Sequence, residues 1–144
     1  MKRALAIINP ISGTGSKRSV PELLGRAYQD TPFELFFTYT REAGHAEELA
    51  RRAAAEGYDH VIAVGGDGTV NEVARGLLHS STALGIIPKG SGNGLARTLG
   101  IPMNAEQAIT ALVGAQRASI DACQVGDRPF FCTCSRQLEL RRGR

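Results

Sequence analysis

The sequence predicts an α/β protein: a parallel sheet with helices on both faces, ending in a β-hairpin. Three observations carry that class. Continuous apolar runs, "ALAIIN", "VIAV" and "ALGIIP", alternate with helical patterns through roughly the first hundred residues, as strands covered on both faces require. Glycine-bearing loops follow each of these runs. The alternation then stops at "ASIDACQVGDRPFFCTC", two strand-like runs around Gly126-Asp127, which is a hairpin signal.

The elements follow in order. "ALAIIN" (Ala4–Asn9) is the first strand, closed by Pro10. Ser19 with Glu22 has capping-box spacing, so a helix is expected from about Val20 to Asp30. "PFELFFTYT" (Pro32–Thr40) is aromatic and β-branched, hence the second strand. Ala46, Leu49, Ala50 and Ala53 recur at helical spacing, and Gly57 suits the helix end. "DHVIAV" is the third strand. Thr69 with Glu72 repeats the capping-box spacing, so a helix is expected to begin directly after the glycines. "ALGIIP" is the fourth strand. Asn104 with Gln107 starts another helix, ending near Gly114. "SRQLELRRGR" shows no clear periodicity and is expected to be an irregular tail over residues 135–144, after a domain over residues 1–134.

Composition bounds the function. The chain has 144 residues, 42% hydrophobic and 22% charged, which suits one soluble domain with a buried core. A net charge of +3 without a lysine-rich block suits anionic ligands. With no tryptophan and 6% aromatic residues, a base-stacking platform is poorly supplied, so nucleic acid is not an expected partner. Cys123, Cys132 and Cys134 match neither a disulfide framework nor a zinc spacing and read as reduced thiols of a cytoplasmic protein. The apolar run at the start is cut short by Asn9-Pro10, too early for a signal-peptide core.

The chemistry is expected in the loops. In open α/β sheets ligands bind beyond the carboxyl ends of the strands, where "NPISGTGS", "GGDGT" and "PKGSGNG" lie. The last two lead directly into expected helices, and the free amides and positive end of a helix favour phosphate. Glycine permits positive φ and leaves no Cβ between the backbone and a phosphate oxygen. Two familiar phosphate loops are absent. Gly15-Ser16-Lys17 lacks the Gly-Lys-Ser/Thr of a P-loop, and Gly90-Ser91-Gly92-Asn93-Gly94 has its third glycine one place too early for the dinucleotide fingerprint. Asp67 would repel bare phosphates: like charges about 4 Å apart cost on the order of 4 kcal/mol at an effective dielectric near 20. A magnesium ion between them reverses that sign. Lys89 and Arg97 flank the third loop and read equally as phosphate partners or as solvated surface charge.

"GGDGTVNEV", with "NPISG" upstream and "PKGSGNGLAR" downstream, resembles the diacylglycerol kinase catalytic family, which includes bacterial lipid kinases, sphingosine kinases and ceramide kinases. Order and spacing agree from Ala4 to Cys134, and Thr40 in "TYTREAGHAEELA" matches as well. The resemblance implies a phosphofructokinase- or NAD-kinase-like nucleotide-binding domain that takes ATP and Mg²⁺. It implies that Asn9, Ser12 and Thr40 line the nucleotide cleft and that Gly65, Gly66, Gly68 and Thr69 wrap the phosphates. Asn71 would sit just behind them, Ser91 and Asn93 would close the cleft, and Asp67 would be the catalytic carboxylate that positions the metal. Family members continue with a β-rich domain that supplies the general base and the lipid pocket. That domain is expected to be missing here, which would leave this chain a poor catalyst without membrane contact of its own. Two other readings stand beside the lipid kinase: an NAD-kinase-like enzyme, since that family shares "GGDGT", and a non-catalytic module that binds nucleotide or self-associates through its hairpin edge as a homodimer.

Overall fold

In the computed structural model, the described residues are 1–11, 19–115, 117–125, 128–132 and 137–142, and side chains are described through residue 115. Strands β1 (Lys2–Ile8), β2 (Phe33–Tyr39), β3 (His60–Gly65) and β4 (Ala83–Pro88) alternate with helices α1 (Val20–Tyr28), α2 (His45–Ala55) and α3 (Asp67–Leu77). Helices α4 (Gly94–Thr98) and α5 (Ala105–Val113) follow, then β5 (Arg117–Val125), β6 (Arg128–Cys132) and β7 (Gln137–Arg142).

The four leading strands form the parallel part of one sheet, in the order β2-β1-β3-β4. Every residue of β3 and β4 is buried, as their unbroken apolar sequences require of strands covered on both faces. The two faces can be assigned by parity along β2. Phe33 packs edge-on to Tyr28 of α1, whereas Phe36 packs edge-on to Tyr58 just beyond α2. Odd and even residues of a strand point to opposite sides, so α1 and α2 cover opposite faces. The core between the layers is closed by Ile7, Leu24, Ile62, Leu77, Leu84, Ile86 and Ile87. Helices α2 and α3 approach so closely at Gly76 that a Cβ there would lie 2.5 Å from the Glu47 carbonyl oxygen.

Local signals explain most element ends. Ser19 accepts a hydrogen bond from the Glu22 amide at 3.4 Å, and Asn104 accepts one from the Gln107 amide at 3.1 Å. Gly57 takes φ +81° just past α2, the left-handed conformation glycine adopts without strain. The third capping box is not one. Helix α3 begins at Asp67 with Gly66 as its N-cap and no side-chain cap. Gly66 alone joins β3 to α3, so the helix starts two residues before Thr69, and Thr69 and Glu72 stand one turn apart on the same helix face.

Beyond α5 the expected hairpin forms, with β5 and β6 antiparallel and Val125 opposite Arg128. The expected irregular tail contains a strand. Its "QLEL" alternates polar and apolar residues, the period of a strand, and β7 inserts between β4 and β5, antiparallel to the first and parallel to the second.

Tyr28 is 4% exposed, and burial pushes its phenol up to about 12. The folded protein therefore holds this proton more tightly than the unfolded chain, whose phenols titrate near 10. The linked stability, up to roughly 2–3 kcal/mol, is fully present below pH 10 and is lost as pH rises toward 12. Tyr28→Phe is expected to remove this component. Urea unfolding of both proteins between pH 9 and pH 12 checks it, and an identical pH dependence for the two would refute the assignment.

Candidate functional site

The strand order reverses between β1 and β3, because the chain steps outward to β2 and then returns past β1. At such a switch point the connections leave on opposite sides and open a crevice at the carboxyl ends. Asn9 stands in that crevice. Its backbone amide donates to the Val64 carbonyl at 3.0 Å, which ties it to the end of β3. Its side chain accepts from the Ile11 amide at 3.0 Å and donates to the Thr69 hydroxyl at 3.3 Å. Thr40 is fastened to the same rim by its amide, which donates to the Ile8 carbonyl at 2.9 Å.

A cleft of about 240 Å³ lies there, lined by Asn9, Thr40, Gly68 and Thr69 together with Arg41, Glu42 and Glu72. Four of the sequence-expected residues thus meet in one cavity. His45, at the start of α2, accepts from the Arg41 amide at 2.9 Å and so shapes the turn that forms the outer wall. The floor is the first turn of α3. The first intrahelical bond runs from the Val70 amide to the Gly66 carbonyl, so the amides of Asp67, Gly68 and Thr69 have no acceptor inside the helix. A Cβ on Gly68 would meet nothing within 4 Å.

The second and third loops touch through their backbones. A Cβ on Gly66 would lie 3.1 Å from the Gly90 Cα, and one on Gly90 would lie 2.6 Å from the Gly66 Cα. The Lys89 amide donates to the Gly65 carbonyl at 2.8 Å, extending the β3–β4 ladder into the loops. Among the described glycines, positive φ occurs only at Gly44, Gly57 and Gly100. The glycines of these two loops therefore serve by lacking a Cβ; the positive φ that the sequence reading also offered is not used. Gly65 illustrates the point, since a Cβ there would lie 2.7 Å from the Thr69 Cβ.

Asp67 is exposed and bridges the same two loops. One carboxylate oxygen accepts from the Gly94 amide at 2.6 Å, and a Cβ on Gly92 would sit 2.5 Å from the other. Asn93 is turned inward. It is 7% exposed with φ +54°, and its side chain accepts from the Gly90 amide at 3.0 Å and donates to the Gly90 carbonyl at 2.7 Å. Its amide is spent on holding the third loop closed on itself. The Arg97 guanidinium donates to the Gly92 carbonyl at 2.7 Å, so that side chain is also engaged in the loop. Ser91 is exposed at the loop tip and Asn71 is exposed on α3, both outside the cleft lining. Ser12 lies outside the described residues.

Glu72 is the residue that sequence reasoning missed. One of its carboxylate oxygens is buried without a hydrogen-bond partner among the described residues, and the side chain lines the cleft. A buried polar atom left unpaired costs on the order of 1–3 kcal/mol, more when charged. The available signal was its position three residues after Thr69, which reads as a capping box only if the helix starts late. In a helix that starts at Asp67, the same spacing aims both side chains into one groove.

The architecture is that of the NAD-kinase-like α/β fold. Over residues 3–125 the sequence matches the diacylglycerol kinase catalytic domain family, and the chain belongs to it. Diacylglycerol kinase from Bacillus subtilis (strain 168) is 40% identical over 136 residues, covering 91% of this chain and 44% of that protein. The enzyme of that name from Staphylococcus saprophyticus is 36% identical over 133 residues, covering 90% of this chain and 43% of the relative. A crystal structure of a diacylglycerol kinase from Bacillus anthracis superposes with a TM-score of 0.67 at 35% identity, covering 78% of this chain and 39% of that one. The chain thus spans less than half the length of these relatives.

Gly92→Ala tests the contact between Asp67 and the third loop. The added methyl collides with the Asp67 carboxylate, whose exposed end must turn away and loosen its bond from the Gly94 amide, at an expected cost of about 1 kcal/mol. The Gly94 amide resonance should shift as its bond to Asp67 changes. A Cβ on Gly94 would lie an ordinary 3.6 Å from the carboxylate, so Gly94→Ala should cost less. Denaturant midpoints and amide NMR spectra of the two variants check this, and equal costs would count against the contact.

Proposed function

We propose that this segment is the nucleotide-binding half of a lipid kinase that uses Mg²⁺–ATP to phosphorylate a lipid hydroxyl of the diacylglycerol or sphingoid type. The observation that carries the reading is the uncapped first turn of α3, opening into a cleft at the switch point of the sheet. Phosphate oxygens fit there for three reasons: free amides, the positive end of an eleven-residue helix, and the open space where Gly68 lacks a Cβ.

Other residues take roles in keeping with this pose. Thr40 and Asn9 hold the rim where the nucleoside enters, and the Asn9–Thr69 hydrogen bond sets the Thr69 hydroxyl toward the phosphates. The oxygen of Glu72 that has no hydrogen-bond partner among the described residues accepts a hydrogen bond from a sugar hydroxyl. Gly65 and Gly66 let the loops close under the phosphates. Asp67 sits at the junction, with Gly94 as its anchor. Among the described residues there is no group of three or more His, Cys, Asp or Glu side chains fit to hold a metal. Mg²⁺ binds through one or two carboxylates plus substrate phosphates and water, and on this reading Asp67, in the first turn of α3, is the carboxylate that would hold it. When bound, Mg²⁺–ATP supplies the transferable phosphoryl group and neutralises its charge. This chain's residues bind and orient it.

By the family resemblance, the lipid pocket and the general base lie in a β-rich portion outside these residues. Nucleotide binding is the part of the reaction assigned to the residues described, in the cytoplasm where ATP is available. Among the described residues no helix is long and apolar enough to cross a membrane.

Thermal stability measured against Mg²⁺–ATP and Mg²⁺–ADP tests the site. At a hundred times its Kd, a ligand specific for the folded state should add about 2.7 kcal/mol. Gly66→Val should abolish the shift by filling the contact with Gly90. Glu72→Gln and Asp67→Asn should weaken it, the latter chiefly when magnesium is present. No shift for the unmodified chain, or equal shifts in all the variants, would sink the reading. Radiolabel transfer from ATP to diacylglycerol, sphingosine and NAD then sorts the acceptor class.

A further inference from the structure

The outer wall of the cleft is held by a side chain that can gain a proton. Thr40, Arg41, Glu42 and Ala43 line the cleft and belong to the turn between β2 and α2. The turn is anchored at one end, where the Thr40 amide donates to the Ile8 carbonyl at 2.9 Å, and at the other by the start of α2. Between these anchors two hydrogen bonds close it among the described residues. The His45 amide donates to the Glu42 carbonyl at 3.2 Å, and the Arg41 amide donates to Nδ1 of His45 at 2.9 Å. Gly44 takes φ +87° and has no side chain with which to cap the helix. The half-buried imidazole of His45 is thus the side chain that ties this turn back to the helix.

Only an unprotonated Nδ1 has the lone pair that accepts such a bond, so His45 is neutral here, with its proton on Nε2. A second proton would fill that lone pair and set two N–H groups head to head, and the Arg41 amide would lose its acceptor. The position adds to the effect. His45 is the first residue of the eleven-residue α2, where the positive end of a helix disfavours a cation. The charged groups around it are Arg41 and Glu42 of the turn, Glu47 and Glu48 in the first turn of α2, and Asp67, Glu72 and Arg75 of α3, which packs closely on α2. The near end of β1 adds none. Glu47 is engaged by Arg51 and Arg75, and among the described residues no carboxylate forms an ion pair with His45. The surrounding carboxylates ease the gain of a proton, but gaining it still breaks the bond to Arg41.

We infer that His45 is a positioning residue of the cleft and its proton switch: the neutral imidazole holds the Thr40–Ala43 wall against the nucleotide, and protonation from solvent releases that wall and weakens nucleotide binding. The ligand in this statement rests on the nucleotide reading above, whereas the link from His45 to the turn does not. The direction follows from the bond. Because the closed wall needs the neutral ring, nucleotide and proton oppose one another, and affinity falls as pH drops through the range in which histidine changes charge, pH 8 to 5.

Calorimetric titration of the 144-residue chain with Mg²⁺–ADP at pH 7.5 and pH 5.5 tests the switch. His45→Asn keeps an acceptor at the reach of Nδ1 but does not titrate in this range, and His45→Ala keeps neither property. The phosphates of the probe gain protons equally in every sample, so the comparison between variants isolates the protein's share. On acidification the parent should lose roughly fivefold more affinity than His45→Asn. At pH 7.5 His45→Ala should bind about fivefold more weakly than the parent, the scale of one hydrogen bond, and it should share the flatter pH profile of His45→Asn. Amide NMR of the ligand-free chain gives a readout independent of the probe. The Arg41 resonance should titrate together with the His45 ring in the parent and hold steady in His45→Asn. An Arg41 amide indifferent to the His45 ring would overturn the link to the turn. A parent whose affinity falls with pH no more steeply than that of His45→Asn would overturn the switch. Failure of the parent to bind Mg²⁺–ADP at either pH, with the Arg41 amide titrating as expected, would overturn the nucleotide reading and the ligand named here, leaving only the link to the turn.

Discussion

The arrangement of the site depends on the contact between Gly66 and Gly90, where two loops from neighbouring parallel strands meet backbone to backbone. With β3 and β4 in register and the Lys89 amide bonded to the Gly65 carbonyl, the chains leave the sheet side by side. No side chain fits between them, since a Cβ on Gly90 would lie 2.6 Å from the Gly66 Cα. From that contact the rest follows. Asp67, one residue past Gly66, reaches the Gly94 amide. Gly92 must be bare to leave room for that carboxylate. Asn93 folds inward to close the loop on itself, and Arg97 steadies it from the helix side.

The cleft is built from what this closure leaves open. Because Gly66 is the whole connection between β3 and α3, the helix begins without a side-chain cap among the described residues, and the amides of Asp67, Gly68 and Thr69 have no acceptor inside the helix. One carboxylate oxygen of Glu72, which lines the same cleft, is buried without a hydrogen-bond partner among the described residues, an arrangement that is costly unless it is completed. The charges of its lining are mixed, with Arg41, Glu42 and Glu72 all contributing to it.

The sheet is asymmetric in its covering as well as in its site. Its interior strands are wholly buried, whereas no residue of β2 is classed with the buried core. Partial shelter for β2 comes from Tyr28 and His60 on one face, and on the other from Tyr58, over which the Arg3 guanidinium stacks at 4.4 Å. Covering of the faces leaves the edge itself untouched, because backbone groups at an edge can be satisfied only by water or another strand.

Much of this was legible from the chain alone. Unbroken apolar runs mark strands that have helices on both sides, and β4 begins and ends where "ALGIIP" does. Ser19 and Asn104 cap their helices because a capping box is a local device, complete within four residues. The motifs that establish family membership are local too. What the chain could not reveal depends on partners distant in sequence. Thr69 and Glu72 look like a cap until β3 is seen to run straight into α3. The loop glycines look like conformational hinges until Gly66 and Gly90, twenty-four residues apart, are brought into contact by the β3–β4 register. "QLEL" looks like a tail until β4 and β5 offer it two flanking strands. Short-range patterning determined which elements form and which loops carry the glycines; only tertiary packing decided why those glycines are needed and which side chains share the cleft, because steric exclusion and burial are properties of neighbours in space.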